Sequence, residues 1–166
     1  SKTLVWRDQS VHARARVYKE QDREELTWVE LGPMTSPDRL QNRDFRVRVP
    51  TEYPRAQAVN GKFDDPPGSS PFAQANAFYN AQTMLAWLQD SEIGYNYECA
   101  PIEISLHADF DGGGNNARYL NPDFDIDGIA RILLGDGDGR GLKNLATDID
   151  VVSHELAHHV VFRRLR

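Results

Sequence analysis

Two histidines and a glutamate late in the sequence have the types and spacing that hydrolytic metal sites use. In the run HELAH, His154 and His158 are four residues apart and Glu155 directly follows the first histidine. On a helix, residues four apart share one face with Cβ atoms about 5–6 Å apart, so both imidazoles can point to one ion. This spacing suits two corners of a tetrahedral zinc site, with Glu155 beside the ion rather than bound to it. A carboxylate there can accept a proton from an activated water and pass it to a leaving group, which predicts metal-assisted hydrolysis.

The motif is short, and the same spacing also occurs in helices whose histidines are ordinary surface residues. The residues before it are apolar, namely Ile149, Val151 and Val152. They predict a helix buried beside a cleft, where two histidines and a glutamate without a ligand would leave costly unpaired polar groups. Zinc binding is therefore the favoured interpretation. Two other interpretations stay open: the chain could be a binding or structural module without catalysis, or the histidines could form a structural zinc or calcium site.

Composition and charge limit what kind of protein surrounds this motif. Of the 166 residues, 40% are hydrophobic and 27% charged, as in an ordinary globular domain. The formal net charge of −6 argues against nucleic acid as a partner. Cys99 is the single cysteine, so an intramolecular disulfide is excluded. No apolar run approaches the roughly 18 residues that a membrane span needs.

The elements that must position the motif follow from the apolar pattern. Short β-like runs are predicted at residues 26–31, 45–49, 102–106 and 129–134. Apolar residues recur at helical spacing over residues 72–89, which predicts an amphipathic helix with a wide apolar face. The same spacing over residues 148–166 predicts a helix that carries the motif. Strands and helices do not alternate regularly, so the predicted class is α+β.

Longer runs resemble the thermolysin-like zinc metallopeptidases and the related fungalysins. LLGDGDG and LATDIDVVSHELAHHVV are similar to the GDGDG segment and zinc helix of these families, and ISLHADFDGGGNNARY to their edge strand and Asn-Asn-Ala segment. FAQANAFYNAQTMLAWL resembles their first long helix. The resemblance implies the N-terminal lobe of a catalytic domain, with a twisted, largely antiparallel sheet. Residues 71–166 would form this incomplete lobe, and residues 1–70 a β-rich segment and connector.

The resemblance also implies an activity, that of a zinc-dependent endopeptidase acting on peptides or proteins outside the cytoplasm. His154 and His158 would bind the zinc ion, and Glu155 would be the catalytic base. In these families the third ligand is a glutamate on a second helix, roughly twenty residues after the second histidine. That ligand would come from the missing C-terminal part of the enzyme or from a second chain, so this portion alone would be inactive.

Three further residues match functional positions of these families. Asn116 matches an asparagine that hydrogen-bonds the substrate backbone, and Ala117 a residue whose carbonyl does the same on the edge strand. Such an edge can hold an extended peptide as an added strand. Asp150 matches a position that can bind structural Ca²⁺, although an acid at the start of a helix is the simpler interpretation.

The remaining polar candidates are interpreted as structural. The GDGDG run at residues 135–139 predicts a tight hairpin with glycine dihedrals rather than a calcium loop. His159 follows the motif by one residue and so points away from the metal, toward packing or the surface. His107 lies at a strand end and has no evident partner.

Overall fold

The computed structural model describes residues 11–18, 25–91, 100–110, 113–138 and 144–164. Cys99 lies outside the described residues. The elements, in chain order, are β1 (Val11–Tyr18), β2 (Leu26–Met34), β3 (Phe45–Arg48), β4 (Lys62–Phe63), α1 (Ser70–Asp90), β5 (Ile102–Leu106), β6 (Ala117–Leu120), β7 (Arg131–Leu134) and α2 (Ile149–Arg164). A short 3₁₀ helix, Leu145–Thr147, precedes α2.

The strands form two mixed sheets. The first has the order β2-β1-β4 and the second the order β3-β5-β7-β6. The α+β class is confirmed, but the expected largely antiparallel pairing is corrected, because β3, β5 and β7 run parallel to one another and β6 alone is antiparallel in its sheet. The physical reason is the connection through α1. A helix that crosses from one strand to the next returns the chain to its starting end, which makes β3 and β5 parallel.

Helix α1 is buried on more than its apolar face. Ser69 caps its start by accepting a hydrogen bond from the Phe72 backbone N–H at 3.2 Å, and the predicted apolar positions are mostly buried. Three amides, Gln74, Asn76 and Asn80, are buried as well. Gln74 satisfies backbone groups of the connector, because its Nε2 donates to the Pro54 carbonyl at 2.8 Å and its Oε1 accepts from the Ala56 N–H at 2.9 Å. The connector is thereby fixed to α1 by hydrogen bonds that a periodicity argument does not predict.

Helix α2 begins at a side-chain cap. The Asp148 carboxylate accepts from the backbone N–H groups of Asp150 at 3.0 Å and Val151 at 3.3 Å. The apolar residues at helical spacing in α2 form a core stripe, since Val152 and Leu156 are fully buried and Val160 nearly so. They pack the helix against α1, β6 and β7. The HELAH motif therefore lies on a helix whose opposite face is anchored in the core.

One cluster of buried apolar side chains joins β1, α1 and β5, with Ala15, Phe78 and Ile104 among its members. The division of the chain at residue 70 stays a prediction. Among the described residues, no helix is both long and apolar enough to cross a membrane.

Candidate metal centre

The two histidines of the motif converge as the sequence predicts. His154 Nε2 and His158 Nε2 lie 3.1 Å apart, and the two rings are nearly perpendicular at 86°. Two ligand atoms bound tetrahedrally at about 2.0–2.1 Å from one zinc ion lie about 3.3–3.4 Å apart. The observed separation is close to that value, so the pair fits two positions around one ion.

The burial predicted for the motif is wrong for the histidines. His154 and His158 are exposed, whereas Glu155 is buried with 7% of its surface accessible. The reason is helical geometry, because the core stripe of Val152, Leu156 and Val160 occupies the opposite side of α2. The face that carries the histidines is therefore open to a ligand.

Little of Glu155 is exposed, and the residue lies between the two histidines in the sequence of the same helix. A carboxylate in such surroundings can hold a proton from a water beside the histidines. Within the described ranges, no group of three His, Cys, Asp or Glu side chains is arranged to hold a metal ion. The described residues thus bring two imidazoles and a carboxylate together on one helix.

Strand β6 offers backbone groups at an open sheet edge. It is the last strand of its sheet, and the Asn116 carbonyl accepts from the Gly135 N–H at 3.0 Å. Along an antiparallel strand these bonds alternate in direction, so the backbone groups of Ala117 point away from β7. The Ala117 N–H is already bonded to Asn116 Oδ1 at 2.9 Å. Ala117 therefore presents its carbonyl to an added strand, in the way that the resemblance implies.

Asp150 is exposed in the first turn of α2. Its carboxylate is stabilised there by the partial positive charge of the helix N-terminus. This position agrees with the simpler interpretation of a helix-start acid, and the calcium role stays a prediction.

His159 connects α2 to strand β6. The ring is fully buried, and its Nδ1 lies 2.8 Å from the Tyr119 hydroxyl on β6. Burial, with a smaller contribution from the charge of Arg163, lowers the pKa of His159 to about 4. The ring is therefore neutral at pH 7. Of the two alternatives for this residue, packing is the one observed, and the hydrogen bond to β6 could not be read from the sequence.

A second histidine, His107, links three segments. Its Nδ1 lies 2.6 Å from Asp136 Oδ1 and its Nε2 lies 2.7 Å from Ser70 Oγ. The carboxylate can only accept, so Nδ1 carries a proton and, in the neutral ring, Nε2 accepts from the serine hydroxyl. Tyr53 stacks on the ring with a centroid distance of 3.6 Å and an interplanar angle of 4°. This group was missed because His107 had no evident partner. The available signal was that His107 directly follows β5 and that Asp136 follows β7 after one glycine, because the parallel ends of these strands meet at one edge.

The described part of the GDGDG segment, residues 135–138, runs beside the Asn116 segment. Gly135 N–H donates to the Asn116 carbonyl and Gly137 N–H to the Gly114 carbonyl, both at 3.0 Å, and the Gly135 carbonyl accepts from the Leu145 N–H at 3.3 Å. The tight hairpin stays a prediction, because residues 139–143 lie outside the described residues; the left-handed dihedral that it requires is present at Gly137, where φ is 78°. Gly135 is required for another reason. A Cβ there would lie 1.9 Å from the Gly114 carbonyl oxygen.

Comparison with known proteins agrees with this geometry. The profile of the thermolysin metallopeptidase catalytic domain matches residues 57–162, which is more than half of the chain and includes β5, β6, β7 and both motif histidines. A search of curated proteins finds no match. The match confirms the resemblance of the GDGDG segment, the edge strand and the HELAH helix. The chain therefore belongs to the thermolysin metallopeptidase family.

Proposed function

We propose that this protein is a zinc-dependent endopeptidase in which His154 and His158 bind the metal and Glu155 is the catalytic base. The observation that carries the proposal is the convergence of the two Nε2 atoms, 3.1 Å apart on an exposed face. The Glu155 carboxylate is held beside them by the same helix. Membership of the metallopeptidase family supports hydrolysis of peptide bonds.

Each side chain has a distinct role. A zinc ion, when bound to the histidines, lowers the pKa of water to about 7 and polarises a carbonyl group. Glu155 accepts the proton that this water loses as it attacks the peptide carbonyl. The same carboxyl group then donates the proton to the leaving amine.

The substrate is a peptide that binds in extended form along β6. The outward carbonyl of Ala117 accepts a hydrogen bond from a substrate N–H, and the exposed Asn116 side chain is placed to bind the substrate backbone. The hydrogen bond between Tyr119 and His159 holds this strand against the zinc helix. The distance between strand β6 and the two histidines of α2 is thereby kept constant.

The zinc site needs a further ligand. Since the described residues supply two histidines, we assign the third position to a carboxylate from elsewhere in the same enzyme or from a second chain. Asp150 can also contribute to a structural Ca²⁺ site if further oxygen ligands come from outside the described residues. A location outside the cytoplasm is part of the same proposal and rests on family membership alone.

The decisive experiment uses the chain together with the part of the enzyme, or the second chain, that supplies the third ligand, and compares it with its Glu155→Gln variant. We expect zinc content to be unchanged, because Glu155 is not a ligand, and kcat to fall on the order of 10²–10⁴-fold, as for loss of a general base. His154→Ala serves as the contrasting variant and should lose zinc and activity together. Equal peptidase activity in the parent and the Glu155→Gln variant would refute the mechanism. Zinc binding without hydrolysis in the parent would instead support a binding or structural module.

A further inference from the structure

A cleft lined by arginines lies at the edge of the four-stranded sheet opposite to β6. Its volume is about 340 Å³. It is formed by β3, the residues just before it, the connector at Arg55 and Ala56, and the side chains of Gln74 and Glu103. In the order β3-β5-β7-β6, three strand spacings of about 4.8 Å separate β3 from the proposed substrate edge. The cleft is therefore separate from the zinc site.

Four guanidinium groups line the cleft, those of Arg39, Arg46, Arg48 and Arg55. Among the described residues, Glu103 is the single carboxylate in the lining of the cleft, and only 2% of this residue is exposed. Burial alone would raise the pKa of Glu103, but the hydrogen bond from Arg131 and the charges of Arg131, Arg46 and Arg48 outweigh it and lower the pKa. Glu103 is thus ionised at neutral pH.

The charge of Glu103 is already balanced by the sheet. Arg131 Nε donates to Glu103 Oε1 at 2.9 Å, and Arg46 Nη2 lies 2.9 Å from Oε2. Arg48 lies further off, at 3.6 Å from Oε1. These contacts hold Arg46 in a fixed position at the wall of the cleft, since an ion pair with a buried carboxylate is not screened as a surface pair is.

Arg39 and Arg55 are in a different situation. Both are exposed, and neither has a carboxylate partner within the described part of the chain. Together with the weakly engaged Arg48, they give the mouth of the cleft an excess of positive charge. A concave site with one sign of charge concentrates ions of the opposite sign, and guanidinium groups bind phosphate or carboxylate oxygens in pairs.

We propose that this cleft binds a small anion that carries at least two phosphate or carboxylate groups. A volume of about 340 Å³ is at the lower end of the range for small-molecule sites and exceeds the needs of a monovalent ion. Two or more anionic groups are required to engage Arg39, Arg48 and Arg55 together, because these residues come from three separate segments. The buried Glu103 repels the anion from the floor and keeps it at the mouth.

The test is isothermal titration calorimetry of the full chain with pyrophosphate and, separately, with tricarballylate, at low ionic strength. We expect saturable binding of at least one anion, and an affinity about 10-fold or more lower in the Arg39→Gln/Arg55→Gln double variant. Both side chains are exposed, so this variant should fold as the parent does. The matched control is Arg14→Gln/Lys62→Gln, which removes two positive charges beside Trp28 on the other sheet and should bind within about 2-fold of the parent.

The two anions distinguish whether the cleft binds phosphate groups or carboxylate groups. Binding of pyrophosphate alone assigns a phosphate ligand, binding of tricarballylate alone a polycarboxylate, and binding of both a general polyanion site. Absence of saturable binding of either anion would overturn the proposal. Binding that persists in the Arg39→Gln/Arg55→Gln variant would place the anion elsewhere, for example at the zinc site, and would overturn it equally. Because calorimetry needs no catalysis, these outcomes are independent of the proposed peptidase activity.

Discussion

Replacement of His107 by alanine tests whether the link between Asp136, His107 and Ser70 stabilises the fold. The hydrogen bond to Ser70 contributes about 1 kcal/mol to the free energy of unfolding. The Asp136 side chain is 46% exposed, so its pair with His107 is taken as about 1 kcal/mol rather than the larger value of a buried charge. Stacking on Tyr53 adds about 1 kcal/mol. The His107→Ala variant is thus expected to lose about 3 kcal/mol, which lowers Tm by roughly 6–12 °C for a chain of this size.

The backbone at His107 supplies a matched comparison. Its φ is 55°, in the left-handed region, where a side chain costs about 1–2 kcal/mol that glycine does not incur. Glycine loses about 0.5–1 kcal/mol more in chain entropy on folding than alanine does. The His107→Gly variant should therefore be at least as stable as His107→Ala, the reverse of the order expected in an ordinary strand.

Urea unfolding of the parent and both variants, followed by circular dichroism, measures these differences. Asp136→Asn is the milder variant, because the amide oxygen can still accept from the His107 Nδ1–H, and it should lose about 1 kcal/mol. A His107→Ala variant within about 1 kcal/mol of the parent would refute the stabilising role of the link. A His107→Gly variant clearly less stable than His107→Ala would refute the left-handed backbone.

Three other perturbations test separate parts of the structure. Gly135→Ala places a Cβ 1.9 Å from the Gly114 carbonyl oxygen, so we expect the free energy of unfolding in urea to fall by about 2 kcal/mol or more. The KM for peptide substrates should also rise. A variant with unchanged stability would contradict the close approach. Tyr119→Phe leaves the buried His159 without its hydroxyl partner, so the free energy of unfolding in urea should fall by about 1–3 kcal/mol. An unchanged free energy of unfolding would contradict this hydrogen bond. The pKa of Glu103 is lowered in the folded protein, so its contribution to stability is present above its unfolded pKa and lost as pH falls through the folded pKa. The difference in unfolding free energy between the parent and Glu103→Gln should therefore shrink from about pH 7 to about pH 3. A difference that stays constant over this range would contradict the lowered pKa.

Much of the fold could be predicted from local patterns. Three predicted runs either alternate apolar and polar residues or are rich in apolar residues, and each of them forms a strand. These strands begin at Leu26, Phe45 and Ile102. The helical spacing after Ser69 likewise identifies α1. These patterns reflect burial of one face of an element, which is a local property. Strand direction is not local. Nothing in the run IEISL shows that β5 lies parallel between β3 and β7, because pairing depends on how the connections pack.

Helix α2 shows the same distinction, between what local patterns predict and what packing decides, within the candidate metal centre. The i, i+4 spacing of His154 and His158 by itself determined that their rings could converge, since the geometry of a helix is fixed by its backbone. Tertiary structure decided which side of α2 faces the core, and hence that the histidines are open while Glu155 is buried. It also decided that His159 bonds to β6 and that His107 and Asp136 meet after β5 and β7. Contacts between residues distant in sequence depend on strand order and packing, which no spacing along the chain encodes.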